Sequence, residues 1–343
     1  MRATTTQVAA RAGVSRATVD RVLNRRGGVS ADKERAVLLS ARALGLDRNL
    51  ELPPLRMLRV GVLMKPPENP FYERLAQGFR EANQMFADQA IRSYVTHIDV
   101  LAPAALPRQL QRLSAGYDAL VIVAPAWTPL LGELGPIATH LPVVTLATDL
   151  PLTAPHHYVG PSNHQAGRLA AELMGRMLGR SGGRILLVAG LPQFSGHAER
   201  SAGFKAVLRR DFPACSIAAE VDGHDDETRT GDAVAAALRN DPAIRGIYNI
   251  SQGNDGIADR VEQHRRTGEV VFIGHDLTPT TRRLLLARRI DAIIDQDPLL
   301  EARRAMELVL SCYGRWSGPP IDGRTPLRAI FRESLDDLPA SEE

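Results

Sequence analysis

The stretch Leu58-Arg-Val-Gly-Val-Leu-Met64, followed by Lys65-Pro-Pro-Glu-Asn69 and then by the amphipathic run Pro70 to Ala87, decides the fold. A short, nearly unbroken apolar run bounded by turn formers reads as a strand buried on both faces. The segment after it is long enough for a helix that crosses back over the strand. The same order recurs along the chain. Apolar runs lie at Asp118 to Ala124, Pro142 to Ala147, Arg184 to Ala189, Arg245 to Ile250, Val270 to Gly274 and Ile290 to Ile294, with helical spacing at Asn163 to Leu178 and Pro298 to Tyr313. Repeated strand and helix imply an α/β body with parallel sheets. The roughly 285 residues available to it favour two similar lobes over one.

Ligands of such bodies bind beyond the carboxyl ends of the strands. The residues there include Asn69, Phe71 and Tyr72 after the first run, Thr148-Asp149, Asn163, Gln193 to Arg200, Ser251 to Asp255, His275-Asp276 and Gln296-Asp297. Amides and carboxylates suit the hydroxyls of a small polyhydroxylated ligand, and rings suit its C–H faces. Any one of these residues reads equally well as a turn former; their recurrence after most strands points to a site. For Phe71 and Tyr72, core and wall are equal readings.

Ahead of the body lies a basic head. Residues 1–50 hold ten Arg or Lys against four acidic residues, a net +6, which leaves 32 against 35, or −3, for the rest of a chain whose total is +3. Helical spacing comes in three bursts: Val8, Ala9 and Ala12; Val19, Val22 and Leu23; and Val37, Leu38, Ala41 and Leu44. Gly13 and Ser15 form a tight turn and cap between the first two, which is a helix-turn-helix pattern. Outside the apolar stripe of the second helix lie Arg16, Ala17, Asp20, Arg21 and Asn24. Arginine can contact guanine in a major groove and alanine the thymine methyl, so the head is expected to bind DNA.

Other classes fit poorly. The composition, 44% apolar and 24% charged, is globular. No apolar run approaches the roughly 20 residues of a membrane span, and the start MRATTTQVAARAG lacks a signal-peptide core, so a cytoplasmic protein is expected. Cys215 and Cys312 make a disulfide framework improbable. There is no phosphate loop, no dinucleotide loop after a strand and no nucleophile elbow. No His/Cys/Asp spacing forms a recognised metal site, so neither cofactor nor enzymatic activity is expected.

The residues Thr6-Gln7-Val8-Ala9-Ala10-Arg11-Ala12-Gly13-Val14-Ser15-Arg16-Ala17-Thr18-Val19-Asp20-Arg21-Val22-Leu23-Asn24 resemble the DNA-binding head of the lactose-repressor (LacI) family of transcription regulators. The resemblance implies base reading by Arg16, Ala17 and Arg21, phosphate proximity for Thr5 and Thr6, and backbone positioning by Ser15, Thr18 and Asn24. Asp20 stands where the family often has a small hydroxyl residue, placed to accept from cytosine or to orient Arg21. The linker Leu46 to Arg56 departs from the family's hinge helix: Pro53-Pro54 disfavours a helix there, so a semi-rigid spacer is expected, with Leu50 and Leu52 as alternative minor-groove wedges.

From about Arg59 to Pro298 the body resembles the sugar-sensing core of the same family and the periplasmic binding proteins of ribose-binding type. The resemblance rests on Glu68-Asn-Pro-Phe-Tyr72, Tyr158-Val-Gly-Pro-Ser-Asn163, Glu199-Arg-Ser-Ala-Gly-Phe204, Ile273-Gly-His-Asp276 and Ile294-Asp-Gln-Asp-Pro298. It implies ligand contacts at Asn69, Phe71, Tyr72, Arg200, Asn254, Asp276 and Gln296. Relatives often have Asp-Arg after the fourth strand; here Ala147-Thr148 precedes Asp149, which is taken as the contact. The organisation expected is a helix-turn-helix head at 1–49, a linker at 50–57, and a two-lobed body at 58–343. Lobe 1 covers about 58–160 and 291–318, and lobe 2 about 161–290 and 319–334. The expected function is regulation of transcription, as a repressor controlled by a sugar or polyol and bound to operator DNA as a homodimer, with a tetramer left open. A transport-type binding protein or a sugar-processing enzyme is the alternative.

Overall fold

The computed structural model describes residues 4–46, 55–98, 103–191, 193–223, 226–264 and 266–335. The linker positions Leu50, Leu52, Pro53 and Pro54 lie outside these residues.

The head consists of α1 (Thr5–Ala12), α2 (Arg16–Leu23) and α3 (Ala31–Ala43). Thr4 caps α1 through a reciprocal box with Gln7, and Gly13 ends it at φ 64°, a left-handed conformation that glycine adopts without strain. Ser15 caps α2 by accepting from the Thr18 amide. Val8, Val19, Val22, Val37, Leu38 and Ala41 close one small core.

The body begins with β1 (Leu58–Met64), α4 (Pro70–Met85), β2 (Ile91–His97), α5 (Leu106–Gly116), β3 (Ala119–Ile122), α6 (Thr128–Ala138), β4 (Val143–Leu146) and β5 (His157–Val159). The chain then crosses into α7 (Asn163–Leu178), β6 (Gly183–Ala189), α8 (Ser195–Asp211), β7 (Cys215–Asp222), α9 (Glu227–Asn240), β8 (Ile244–Asn249), α10 (Asn254–Gln263), β9 (Val271–His275), α11 (Pro279–Leu286) and β10 (Ala292–Asp295). It returns through α12 (Pro298–Cys312) and ends its regular structure at β11 (Arg328–Ile330).

Five parallel strands in the order β2-β1-β3-β4-β5 make the first sheet, and six in the order β11-β10-β9-β8-β6-β7 make the second. The second sheet carries one antiparallel edge, β11 on β10. Because β10 pairs with β9, the return to the first lobe comes after Asp295, not at residue 291. The final crossing is also later than 319: the Gly160 amide donates to the Gly323 carbonyl and the Thr325 amide to the Gly160 carbonyl, so the chain still runs beside the first sheet at residue 325.

Helix α12 packs on α4, and the two share the core of the first lobe through Leu75, Phe79, Ala302 and Met306. The head meets the body at the far end of this pair. Arg315, whose side chain is 4% exposed, donates to Asp32 of α3 from Nε at 2.9 Å and from Nη2 at 2.8 Å. Its Nη1 donates to the carbonyls of Arg56 (2.9 Å), Gln89 (3.2 Å) and Ala90 (3.4 Å).

Candidate functional site

The recognition face of α2 is open. Arg16, Ala17, Asp20, Arg21 and Asn24 are all exposed, Thr6 is exposed and Thr5 half-buried. Ser15 and Thr18 share a hydroxyl contact of 2.9 Å, which holds the first turn of α2. Asp20 does not orient Arg21: Oδ1 accepts from Asn24 Nδ2 at 2.8 Å, and Oδ2 pairs with Arg26 at 3.0 Å. A carboxylate one turn before Asn24 is within reach of the chain as it leaves the helix, which explains the change of partner.

The second site is a cleft of about 790 Å³, open mouth included, between the lobes. Strand ends from both sheets supply its walls, as a doubly wound topology requires. Asn69 caps α4 by accepting from the Phe71 amide at 3.0 Å, which fixes the loop that carries it. Phe71 and Tyr72, 8% and 5% exposed, meet edge to face with centroids 5.2 Å apart. They are therefore both core and wall, the two readings being compatible at a cleft floor.

On the opposite side Arg200 is 5% exposed and makes three hydrogen bonds to neutral oxygens. Nε donates to Asn163 Oδ1 (2.7 Å), Nη1 to the Ile250 carbonyl (3.0 Å) and Nη2 to Gln296 Oε1 (3.2 Å). Gln296 Nε2 in turn donates to Asp276 Oδ1 at 2.7 Å. This chain of side chains reaches from the start of α7 to the crossing before α12. Asn254 Oδ1 accepts from Asn249 at 2.9 Å, which ties the mouth of the cleft to β8. Backbone strain gathers here as well: Ala147, Asp276 and Asp297 have φ of 60°, 64° and 60°, each just after a strand.

Of the expected contacts, Asn69, Phe71, Tyr72, Arg200, Asn254, Asp276 and Gln296 all line the cleft. Asp149 does not. Its Oδ1 accepts from Thr145 Oγ1 (2.7 Å) and the Leu150 amide (2.9 Å) and lies 3.1 Å from His156 Nε2, so the carboxylate stabilises its own turn. Thr148, one residue earlier, lines the cleft instead. Asn163, Phe194 and His275, expected among the strand-end residues, line the cleft as well, while Glu227 is a wall residue that sequence reasoning passed over. Burial holds His275 neutral, well below the ordinary imidazole range, with Arg200 and His197 adding to the effect, and its Nε2 lies 2.8 Å from Tyr248 Oη. Glu227 is pushed up by burial and by Asp255. Among the described residues no group of three or more His, Cys, Asp or Glu could hold a metal ion, and no helix is long and apolar enough to cross a membrane.

The two lobes touch directly around the cleft. The Ala126 amide donates to the Gln193 carbonyl at 2.9 Å, Thr148 and Ser195 share a hydroxyl contact at 2.9 Å, and the Gly196 amide donates to Thr148 Oγ1 at 3.1 Å. The Lys65 ammonium lies 5.8 Å from the Tyr72 ring and 5.9 Å from the Phe194 ring, one from each lobe.

Fold and cleft together define a two-lobed solute-binding body that carries a helix-turn-helix head. The chain belongs to the periplasmic binding protein domain family, whose model matches residues 60–312, and its head is matched over residues 4–49 by the bacterial regulatory proteins, lacI family. It is 41% identical over 75 residues to the HTH-type transcriptional regulator MalR of Streptomyces coelicolor, a match that covers 22% of this chain and of that protein. With the ribose operon repressor of Halalkalibacterium halodurans the identity is 28% over 249 residues, 71% of this chain and 70% of the repressor. An ABC transporter solute-binding protein of Burkholderia graminis, solved in complex with D-arabinose, shares the fold: its TM-score is 0.76 at 21% identity, over 83% of this chain and 99% of the other.

Proposed function

We propose that this protein is a DNA-binding transcriptional repressor whose operator affinity is set by a small sugar or polyol held between the lobes. The observation that carries the reading is one chain with two faces: an exposed Arg16–Arg21 helix, and a buried Asn163–Arg200–Gln296–Asp276 network that lines a cleft. A guanidinium supported by neutral oxygens keeps its charge for ligand hydroxyls, and the acceptor Asp276 stands beside it. The head reads base edges with Arg16, Ala17 and Arg21, positioned by Ser15, Thr18 and Asn24, while Thr5 and Thr6 lie near phosphates. The protein acts in the cytoplasm as a homodimer on near-palindromic sites, since one such head has too small an interface to be specific alone. Ligand closure of the lobes changes the spacing of the paired heads. The body binds its ligand without chemistry.

A thermal-shift screen of sugars and polyols identifies the ligand, because a specific binder raises the midpoint by mass action. Arg200→Ala and Asp276→Ala are expected to weaken binding by about 1.5 to 3 kcal/mol, the range for hydrogen bonds to charged groups, with the body still folded. Unchanged dissociation constants in both variants would rule out the site. Removal of residues 1–50 should abolish salt-dependent duplex binding and leave ligand binding intact. Prolonged incubation should return the ligand unaltered.

A further inference from the structure

The two walls of the cleft differ in kind. Every charged side chain that lines it, Arg200, Glu227 and Asp276, comes from the second lobe. The first lobe opposes them with Pro70, Phe71, Val123 and Ala147, and with two polar side chains besides the Tyr72 phenol, Asn69 and Thr148. The oxygen of Asn69 is occupied by the Phe71 amide.

The end formed by Val123, Ala147 and Thr148 has little hydrogen-bonding capacity left. The Ala147 amide donates to the Val159 carbonyl, and the Ala147 carbonyl accepts from Asn163 Nδ2 at 2.9 Å; Tyr158 Oη lies 3.3 Å from it but gives its proton to the Pro161 carbonyl at 2.8 Å. The Thr148 amide donates to the Leu146 carbonyl. Ser195 Oγ gives its proton to the Asp149 carbonyl at 2.6 Å, so in the Thr148–Ser195 contact Thr148 must be the donor. The only proton of the Thr148 hydroxyl is thereby committed, while the same oxygen accepts from the Gly196 amide. Val123, at 2% exposure, and the Ala147 methyl complete an apolar corner. The protons of this corner are committed, so a ligand hydroxyl placed there would exchange its full hydration for at most one acceptor lone pair, of Thr148 Oγ1 or the Ala147 carbonyl, at a net cost of about 1 kcal/mol or more.

We propose that the effector is a deoxy sugar, with its C–H or methyl edge against Val123, Ala147 and Thr148 and its hydroxyls directed to Arg200, Asn254 and Asp276. This rests on the sugar-binding reading above and narrows it. A methyl group buries apolar area against this corner, whereas a hydroxymethyl or ring hydroxyl gives up most of its hydration there and meets no free donor on these three residues.

The test is calorimetric titration of the full-length protein with matched pairs: L-rhamnose and L-mannose, L-fucose and L-galactose, D-fucose and D-galactose, 2-deoxy-D-ribose and D-ribose, 2-deoxy-D-glucose and D-glucose. At least one deoxy member is expected to bind about tenfold or more tightly than its hydroxylated counterpart. Ala147→Asp is the second arm. Aspartate tolerates the positive φ of this position better than alanine does, which offsets part of the cost of a carboxylate at a buried position, and the thermal midpoint of the free protein checks that the fold is retained. The new carboxylate is expected to weaken the deoxy sugar by about tenfold and to narrow the preference within the pair. Equal or tighter binding of the hydroxylated members to the wild type overturns the inference and leaves the sugar reading standing. If no sugar in either arm binds, the sugar reading falls and takes the inference with it.

Discussion

Glu301 is fully buried, and neither of its carboxylate oxygens has a hydrogen-bond partner among the described residues. Burial is the main cause that pushes this carboxyl well above the usual range; Asp276, Asp295 and Asp297 push in the same direction and Arg200 opposes them. The side chain is therefore held neutral in the fold while the unfolded chain ionises it at an ordinary pH. Over that interval the folded state binds the extra proton, so stability falls as pH rises above the ordinary carboxyl range. Glu301→Gln keeps the shape without the acid, and is expected to raise the thermal midpoint by about 2 °C or more at pH 8 and by little at pH 5. An equal gain at both pH values would show that ionisation is not the cause. Asp149 makes the contrasting case. Its replacement by alanine should loosen the turn it shares with Thr145 and His156 yet leave ligand affinity within about twofold, since the side chain does not line the cleft.

At the level of elements, α4 and α12 both start at the cleft, with Asn69-Pro70 and Gln296 to Pro298, and both end near Arg315. That arginine gathers the turn after α4, the Arg56 carbonyl and Asp32 of the head. Asp32→Asn removes one charge from a partly exposed pair, worth about 0.5 to 1 kcal/mol. Trypsin should then separate head from body about two- to fivefold faster, because cleavage follows the population of the undocked state. An unchanged rate would mean that the contact does not hold the head. Elements also show what a sequence can reveal. The apolar runs from Leu58 to Ile294 correspond to the inner strands. The four strands they omit, β2, β5, β7 and β11, are the four sheet edges. Edge strands face water, and mixed burial such as that of β7 erases the apolar run on which reading by composition depends.

For the molecule as a whole, the two lobes and the head were legible because each is built from a local pattern of strand, helix and cap. The cleft was legible as a set of strand ends, and seven of its eight proposed contacts do line it. Asp149 was misjudged because a carboxylate after a strand looks the same whether it faces a ligand or binds its own turn. Glu227 became visible only in the folded chain, since it opens α9 beyond β7, an edge strand with no apolar run to mark it. The chain has only three lysines, Lys33 on α3, Lys65 after β1 and Lys205 in α8, so head, first lobe and second lobe each carry one. Lys65 is 8% exposed and sits between rings from the two lobes. Separation of the lobes takes the Phe194 ring away from this amine. Acylation of Lys65, followed by peptide mass spectrometry against Lys33 and Lys205 as internal standards, would thus be a built-in clock for cleft opening, with no label introduced.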